Sequence, residues 1–179
     1  MQIKSDQSRG LLMVFTGNGK GKTTSAIGMA VRAAGHGMKV LFLQFIKGSW
    51  QYGEMESLKK FGDTIEFHVL GGGFTWESGD PDHDIKLAND GWEKAKSAIF
   101  SNRYQMIILD EFTYLMLFGM VSREEVVSVL KNRPVNLHLV LTGRMASREI
   151  RELADLVTEM NPVKHPFENG VLAQKGVEF

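Results

Sequence analysis

Residues 16–24, with the sequence TGNGKGKTT, combine glycines, lysines and hydroxyl side chains in the manner of a phosphate-binding loop. The pattern G-x-x-x-x-G-K-[ST] is matched at Gly21, Lys22 and Thr23, but Thr16 stands where the first glycine belongs. In such loops, backbone N–H groups converge on phosphate oxygens where glycines leave the approach open, and a lysine adds a mobile cation. We therefore predict that nucleotide phosphates bind to Thr16, Gly17, Asn18, Gly19, Lys20, Gly21, Lys22, Thr23 and Thr24.

The segments on either side favour this interpretation over a solvated Gly/Lys-rich turn. LLMVF (11–15) is typical of a buried strand, and the residues after the loop have the periodicity of an amphipathic helix that ends at Gly35 or Gly37. A helix that begins at the loop directs its positive end toward bound anions. The loop therefore has the strand–loop–helix setting that phosphate binding requires.

A second nucleotide signal is the segment MIILDE, in which an apolar strand ends in Asp110 and Glu111. Carboxylates at this place can hold Mg²⁺, directly or through water, beside a hydroxyl such as that of Thr23. A strand that simply ends in two solvated acids is the alternative. Together with the loop, the pair predicts a Mg²⁺ site made by Thr23, Asp110 and Glu111.

A cation follows a later strand in the segment LHLVLTGR, which ends in Gly143 and Arg144. A guanidinium there could contact phosphate oxygens and stabilise the charge of a leaving group. The alternative is a surface arginine that pairs with a nearby acid such as Glu149. We predict that Arg144 contacts phosphate.

The predicted loop with the most distinctive sequence is GGGFTWESGDPDHD (71–84), which carries Phe74 and Trp76 after three glycines. Large aromatic side chains on such a loop would suit a flat apolar ligand. The alternative is a loop that folds back to cover its own core. Asp80, Asp82, His83 and Asp84 match no Ca²⁺-loop spacing, and the acids could cap the next helix, so we predict no metal site there.

Apolar runs alternate with helical patterns along the whole chain. Strands are predicted at 11–15, 39–45, 64–70, 104–110 and 137–143, with a weaker one at 156–160, and helices at about 22–34, 53–61, 84–101, 122–132 and 147–155. This order predicts an α/β fold with a mostly parallel open sheet flanked by helices, the RecA-like architecture of P-loop NTPases. We expect a single domain over residues 1–179. Ligands of such folds bind at the carboxyl ends of the strands.

The composition excludes several kinds of chemistry. The chain has no cysteine, so disulfides, thiolate metal sites and cysteine nucleophiles are ruled out. Acidic and basic residues are balanced at 21 each, so no global field attracts nucleic acid or a membrane surface. No run approaches the length of a membrane span, and no signal peptide is recognisable, so we expect a cytoplasmic protein.

The motifs taken in order resemble one family. TGNGKGKTT, LQFIKG, GFTW, ILDEF, LTGR, ADLVTEM, VKHPF and GVLAQKGVEF are similar to segments of the ATP:corrinoid adenosyltransferases, the P-loop family that makes adenosylcobalamin. The resemblance extends from about Gly10 to Phe179. The spelling GNGKGKTT, with its displaced glycine, is itself characteristic of that family.

The resemblance implies a reaction and a set of roles. Cobalt(I) of cob(I)alamin or another corrinoid attacks C5′ of ATP, and triphosphate leaves. The loop would hold the triphosphate, with Lys22, Glu111 and Arg144 as the catalytic residues. Thr23 and Glu111 would hold Mg²⁺ with support from Asp110, and Phe74 and Trp76 would line the lower face of the corrin.

The resemblance also implies partners and an unusual substrate orientation. The family holds ATP reversed relative to most P-loop proteins, and we connect the threonine at position 16 with that reversal. A reduced flavoprotein would supply the electron for cobalt, and the family tends to form homodimers. Nothing in the motifs implies binding to nucleic acid or to a membrane.

Two other classes of protein share part of this pattern. A RecA-like ATPase or a small nucleotide kinase uses the same loop and the same ILDE segment, but it would release ADP and would not need the aromatic loop. A non-enzymatic nucleotide-dependent binding module would bind Mg-ATP without consuming it.

Overall fold

A computed structural model of the protein describes residues 9–46, 52–71 and 80–178. Its centre is a six-stranded sheet with the spatial order β3-β2-β4-β5-β1-β6, in which every neighbouring pair is parallel. The strands are β1 (Leu12–Thr16), β2 (Val40–Gln44), β3 (Ile65–Val69), β4 (Met106–Asp110), β5 (His138–Thr142) and β6 (Leu156–Glu159). The predicted parallel α/β fold is confirmed, including the weak sixth strand.

Six α-helices are present in the described parts of the chain. They are α1 (Lys22–Gly35), α2 (Gly53–Lys59), α3 (Pro81–Phe100), α4 (Thr113–Leu117), α5 (Arg123–Asn132) and α6 (Arg148–Leu153). Two short 3-10 turns lie at Gly62–Thr64 and Pro166–Asn169. The short helix α4 was not predicted, because five residues are too few to show a helical period.

The helix starts follow from their capping residues. Ser122 accepts a hydrogen bond from the backbone of Glu125, so the predicted start of α5 is confirmed. Helix α3 begins three residues earlier than predicted. The side chain of Asp80 accepts from the backbone N–H of His83, and Pro81 occupies the first turn, where a missing N–H has no cost.

Helices cover both faces of the sheet. All five residues of β1, β2 and β4 are buried, because side chains on each face of these strands pack beneath helices. One face carries a cluster that includes Leu41, Leu109 and Trp92 of α3, and the other carries a cluster with Phe42 and Ala26 of α1. No helix within residues 9–46, 52–71 and 80–178 has the length and apolar character needed to cross a membrane.

The sheet order determines where the site can form. Strand β5 lies between β1 and β4, with Phe15 opposite Thr142 and Leu109 opposite Leu141. The carboxyl ends of these three strands therefore meet at one edge of the sheet. The phosphate-binding loop, the acidic pair and the arginine segment each follow one of them, as expected from the sequence.

Asp155 fastens the start of β6 to the start of β1. One carboxylate oxygen accepts from the buried backbone N–H of Leu12 at 2.8 Å, and the group also pairs with Arg9 and with Arg133. The hydrogen bond from Leu12 and the two arginines lower the pKa of Asp155. A carboxyl whose pKa is lowered by folding stabilises the fold above its ordinary pKa, and this stabilisation is lost as the pH falls through the folded value.

We predict that Asp155→Ala destabilises the protein at pH 7 by about 1–3 kcal/mol, because it leaves the N–H of Leu12 buried without an acceptor. The difference from wild type should shrink as the pH falls below about 4, the ordinary pKa of an aspartate, and through the lowered pKa of the folded carboxyl. Urea unfolding at several pH values measures both effects. Asp155→Asn is the matched control, since it keeps an acceptor oxygen but no charge. A difference that does not change with pH would contradict the assignment.

Candidate active site

The phosphate-binding loop runs from the end of β1 to the start of α1. Gly17 and Gly21 have φ values of 95° and 110°, in the left-handed region that favours glycine. Lys22 is the first residue of α1, and the 14-residue helix directs its N-terminal N–H groups toward the loop. The strand–loop–helix arrangement predicted from the sequence is therefore present.

Part of the glycine pattern has a cause that the motif does not reveal. The backbone at Met160, just after β6, lies against the loop: its N–H donates to Thr16 and its carbonyl accepts from Gly19 at 2.6 Å. A Cβ at Gly17 would lie 2.4 Å from the Met160 carbonyl oxygen, and one at Gly19 would lie 2.8 Å from the same atom. These two glycines are needed because another strand end packs there, whether or not phosphate is bound.

Lys22 is almost fully buried and turns toward its own loop. Its ammonium group donates to the carbonyl oxygens of Gly17 at 3.0 Å and Gly19 at 2.7 Å. Burial lowers the pKa of Lys22, the carboxylate of Glu111 acts in the opposite direction, and the guanidinium of Arg144 lowers the pKa further. Glu111 and Arg144, the other two residues predicted to be catalytic, therefore both lie close enough to Lys22 for their charges to act on it.

Thr16, the residue that replaces the motif's first glycine, has no exposed surface. Its side-chain oxygen accepts a hydrogen bond of 3.1 Å from the backbone N–H of Ala146, two residues after Arg144. The threonine thus connects the end of β1 to the segment that carries the arginine. A glycine at this position could not make that contact.

The two acids at the end of β4 differ in their surroundings. Asp110 is fully buried, and its carboxylate accepts from Thr142 Oγ1 at 2.6 Å and from Gln44 Nε2 at 2.9 Å. Glu111 is partly exposed at the cleft beside Lys22, and its φ is 59°. The structure therefore places Glu111 in the cleft and Asp110 beneath it.

Arg144 lies in the exposed turn after β5, between Gly143 at φ 136° and Met145 at φ 54°. Its backbone carbonyl accepts from Thr113 Oγ1 at 2.7 Å. Glu149, the alternative partner considered for this arginine, lies 3.9 Å from Arg123 instead.

The loop opens onto a cleft of about 590 Å³. Predicted site residues in its lining are Lys20, Gly21, Lys22, Thr23, Thr24 and Glu111, and further lining residues are Ile27, Gly53, Glu54, Ser57, Gly176, Val177 and Glu178. The C-terminal residues in this set were not predicted as site residues. Glu178 forms an ion pair with Lys20, so the end of the chain forms one wall of the cleft.

Phe74 and Trp76, the residues predicted to line a flat apolar ligand, lie outside the described residues. Residues that the motifs did not single out are the hydrogen-bonding partners of the acids and of the arginine segment, namely Gln44, Thr113 and Thr142. Gln44 and Thr142 do lie in LQFIKG and LTGR, two of the segments that carry the family resemblance, and each is a polar residue at the carboxyl end of a mostly apolar strand.

Fold and site together are those of a P-loop nucleotide-binding protein. Among solved structures, the chain is similar to the flagellar accessory protein FlaH from Methanocaldococcus jannaschii, with a TM-score of 0.58 over 84% of this chain and 71% of that one. The two sequences are 14% identical, so the likeness shows the shared fold alone.

Sequence comparison gives a narrower assignment. The model of the ATP:corrinoid adenosyltransferase family BtuR/CobO/CobP matches residues 8–179. The corrinoid adenosyltransferase of Escherichia coli K12 is 44% identical over 98% of this chain and 89% of its own length. That of a Sinorhizobium species is 47% identical over 100% of this chain and 84% of its own. The chain belongs to the ATP:corrinoid adenosyltransferase family, as the motifs implied.

We predict that Gly17→Ala destabilises the protein by about 1–3 kcal/mol, because a Cβ would meet the Met160 carbonyl and the positive φ would be strained. ATP binding should weaken as well, since the loop must shift. Gly28→Ala is the matched control: nothing lies within 4 Å of its Cβ position, and alanine in a helix interior should stabilise by about 0.5–1 kcal/mol. Chemical denaturation and ATP titration measure both. Equal stability of Gly17→Ala and wild type would refute the packing argument.

Proposed function

We infer that this protein transfers the 5′-deoxyadenosyl group of ATP to the cobalt(I) of a corrinoid and releases triphosphate. The observation that carries the inference is the family match over residues 8–179. The loop and Glu111 line one cleft, and the charges of Glu111, Arg144 and Asp110 all act on Lys22. The electron pair of cobalt(I) forms the bond to C5′ while the C5′–O bond breaks, and triphosphate leaves with that bonding pair. Cobalt is oxidised formally from I to III. The nucleophile carries no proton, so no general base is needed.

The loop and Lys22 are proposed to hold the triphosphate. Lys22 is buried at the loop, and among the described residues it donates to two carbonyl oxygens there, which are weaker partners than phosphate. When a triphosphate binds, the ammonium group can exchange these neutral carbonyls for phosphate oxygens. The positive charge of Lys22 is then paired with a negatively charged ligand. Because triphosphate is the leaving group, positive charge in this cleft favours the transition state directly.

We propose that Mg²⁺ binds with ATP between Thr23 and Glu111. Both residues line the cleft, and a hydroxyl with one carboxylate suits Mg²⁺, which takes few protein ligands and completes its shell with phosphates and water. Within the described residues, no group of three or more His, Asp or Glu could hold a metal unaided. Asp110 would support the site through its charge, since both of its oxygens accept hydrogen bonds within the fold. Bound Mg²⁺ would neutralise charge on the departing triphosphate.

Arg144 is proposed to contact the phosphates from the turn that follows β5. Its charge and that of Glu111 both act on Lys22, so the guanidinium lies near the loop in an exposed turn from which it can reach a ligand. A planar guanidinium can donate two parallel hydrogen bonds to one phosphate. The position supports a role in stabilising the developing charge on the α-phosphate oxygen.

The corrinoid side of the reaction is proposed from the resemblance. Phe74 and Trp76 would lie against the lower face of the corrin and exclude the lower axial ligand, which makes the cobalt easier to reduce. The chain contains no cysteine with which to bind an iron–sulfur cluster, and we propose that a reduced flavoprotein supplies the electron. A homodimer is the proposed assembly.

We predict that the protein converts Mg-ATP and chemically reduced cob(I)alamin into adenosylcobalamin and triphosphate in equal amounts. Anaerobic visible spectroscopy in dim light follows the cobalt, and ion-exchange chromatography separates the phosphate products. Glu111→Gln should lower kcat by at least about tenfold, because a neutral amide binds Mg²⁺ poorly. Release of ADP with no change at cobalt would instead indicate an ATPase or kinase.

We predict that Phe74→Ala and Trp76→Ala lower turnover with the corrinoid while leaving the Kd for ATP within about twofold of wild type. The reason is that these residues are proposed to contact only the corrin. The spectrum of bound cob(II)alamin reports directly on loss of the lower ligand. Phe100→Ala is a control, since this side chain is 48% exposed at the end of α3. If the spectrum of bound cob(II)alamin is unchanged by either loop substitution, the corrin role is wrong.

A further inference from the structure

Two threonine hydroxyls connect the segments after β4 and β5. Thr142, the last residue of β5, donates to the Asp110 carboxylate at 2.6 Å and accepts from the backbone N–H of Glu111 at 2.9 Å. It is fully buried, so neither bond competes with water. One hydroxyl of β5 thus holds both the side chain of the first acid and the backbone of the second.

The second hydroxyl connects the same two segments from the other side: it belongs to the segment after β4 and bonds to the segment after β5. Thr113, at the start of α4 and two residues after Glu111, donates to the backbone carbonyl of Arg144 at 2.7 Å. A Cβ on Gly143 would lie 2.1 Å from this hydroxyl oxygen, so only glycine lets the hydroxyl reach across to the carbonyl. The acidic segment therefore holds the arginine segment, just as β5 holds the acidic segment.

The backbone at both ends of this connection adopts conformations that ordinary residues avoid. Glu111 has φ 59°, Gly143 has φ 136° and Met145 has φ 54°. A left-handed non-glycine residue costs about 1 kcal/mol or more, and such conformations persist only where the surroundings impose them. The hydrogen bonds of Thr142 and Thr113 attach at this strained backbone and supply such a constraint.

We propose that Thr142 and Thr113 are positioning residues that together fix Glu111 relative to Arg144. We call the pair the threonine clamp. The proposal rests on the roles proposed above for Glu111 and Arg144. Neither threonine needs to touch a substrate. Without the clamp, both segments would relax toward commoner backbone conformations, and the two charged side chains would lose their fixed relative position.

The reaction makes this geometry important. Glu111 would act through Mg²⁺ on the triphosphate, and Arg144 would act directly on a phosphate, so both must match a single orientation of one leaving group. A misplacement of about 1 Å in such a constellation can lower a rate about a hundredfold. The clamp is thus expected to affect turnover more strongly than corrinoid affinity.

The test removes each hydroxyl without changing side-chain size. Thr142→Val and Thr113→Val should each lower kcat about 10- to 100-fold, with KM for the corrinoid within about twofold of wild type. Thr142→Ser and Thr113→Ser keep the hydroxyl and should restore most of the turnover. Thr158→Val, on the exposed strand β6, is the matched control and should keep wild-type activity.

Nucleotide binding gives a readout that does not require turnover. Calorimetric titration of ATP with and without Mg²⁺ measures how much the metal tightens binding. The clamp predicts that this tightening falls by about fivefold or more in Thr142→Val, because the N–H of Glu111 loses its acceptor and the carboxylate moves. Thr142→Ser should retain the wild-type ratio. Should Thr142→Val fail to fold, Thr113→Val and Thr113→Ser decide the question.

The proposal is overturned if both valine variants retain wild-type kcat and the wild-type effect of Mg²⁺. It is also overturned if the serine variants are as impaired as the valine variants, since packing of the methyl group would then be the cause. Glu111→Gln and Arg144→Ala separate this failure from a failure of the assigned roles. If those two variants keep full activity, the roles are wrong. If they lose activity while the valine variants keep it, only the clamp is wrong.

Discussion

The buried carboxylate of Asp110 is the constraint on which the site depends. A fully buried charge is tolerated only when hydrogen-bond donors surround it, and here the donors come from the two strands on either side. Gln44 of β2 lies opposite Asp110 in the register, and Thr142 donates from the end of β5. A shift of either strand by one residue would turn the donor to the other face of the sheet. The acid therefore helps to align three strands at the edge where the cleft opens.

Much of the fold could be predicted from the sequence. The strands are continuous apolar runs because helices cover both of their faces, and such runs are conspicuous in a chain of this composition. The order of strands and helices then implies a parallel sheet, whose carboxyl ends hold the phosphate loop, the acids and the arginine segment. The short helix α4 was missed because it has too few residues to show a period. The acids at 80–84 were expected as possible caps, but the sequence did not show which of them begins α3, and the cap is the first, Asp80.

The candidate site was only partly predictable, because a motif describes neighbours in sequence. Lys22 and Glu111 could be assigned to one cleft from strand ends alone. The contact of Thr16 with Ala146 joins residues 130 positions apart, and the pair of Lys20 with Glu178 joins residues 158 apart. No local pattern records such contacts. They decide where Arg144 is held and which segment forms the wall of the cleft.

The packing of Met160 against the phosphate loop means that the loop is preorganised. A glycine-rich segment has many accessible conformations, and a free loop would lose that entropy when a nucleotide bound. Here the two hydrogen bonds from the end of β6 hold the loop in place as part of the folded sheet, so the ordering takes place during folding. Binding energy from the triphosphate is then available for orienting C5′ rather than for shaping its receptor. Strand β6, an edge strand whose residues are all exposed, thus fixes the shape of the loop from outside it.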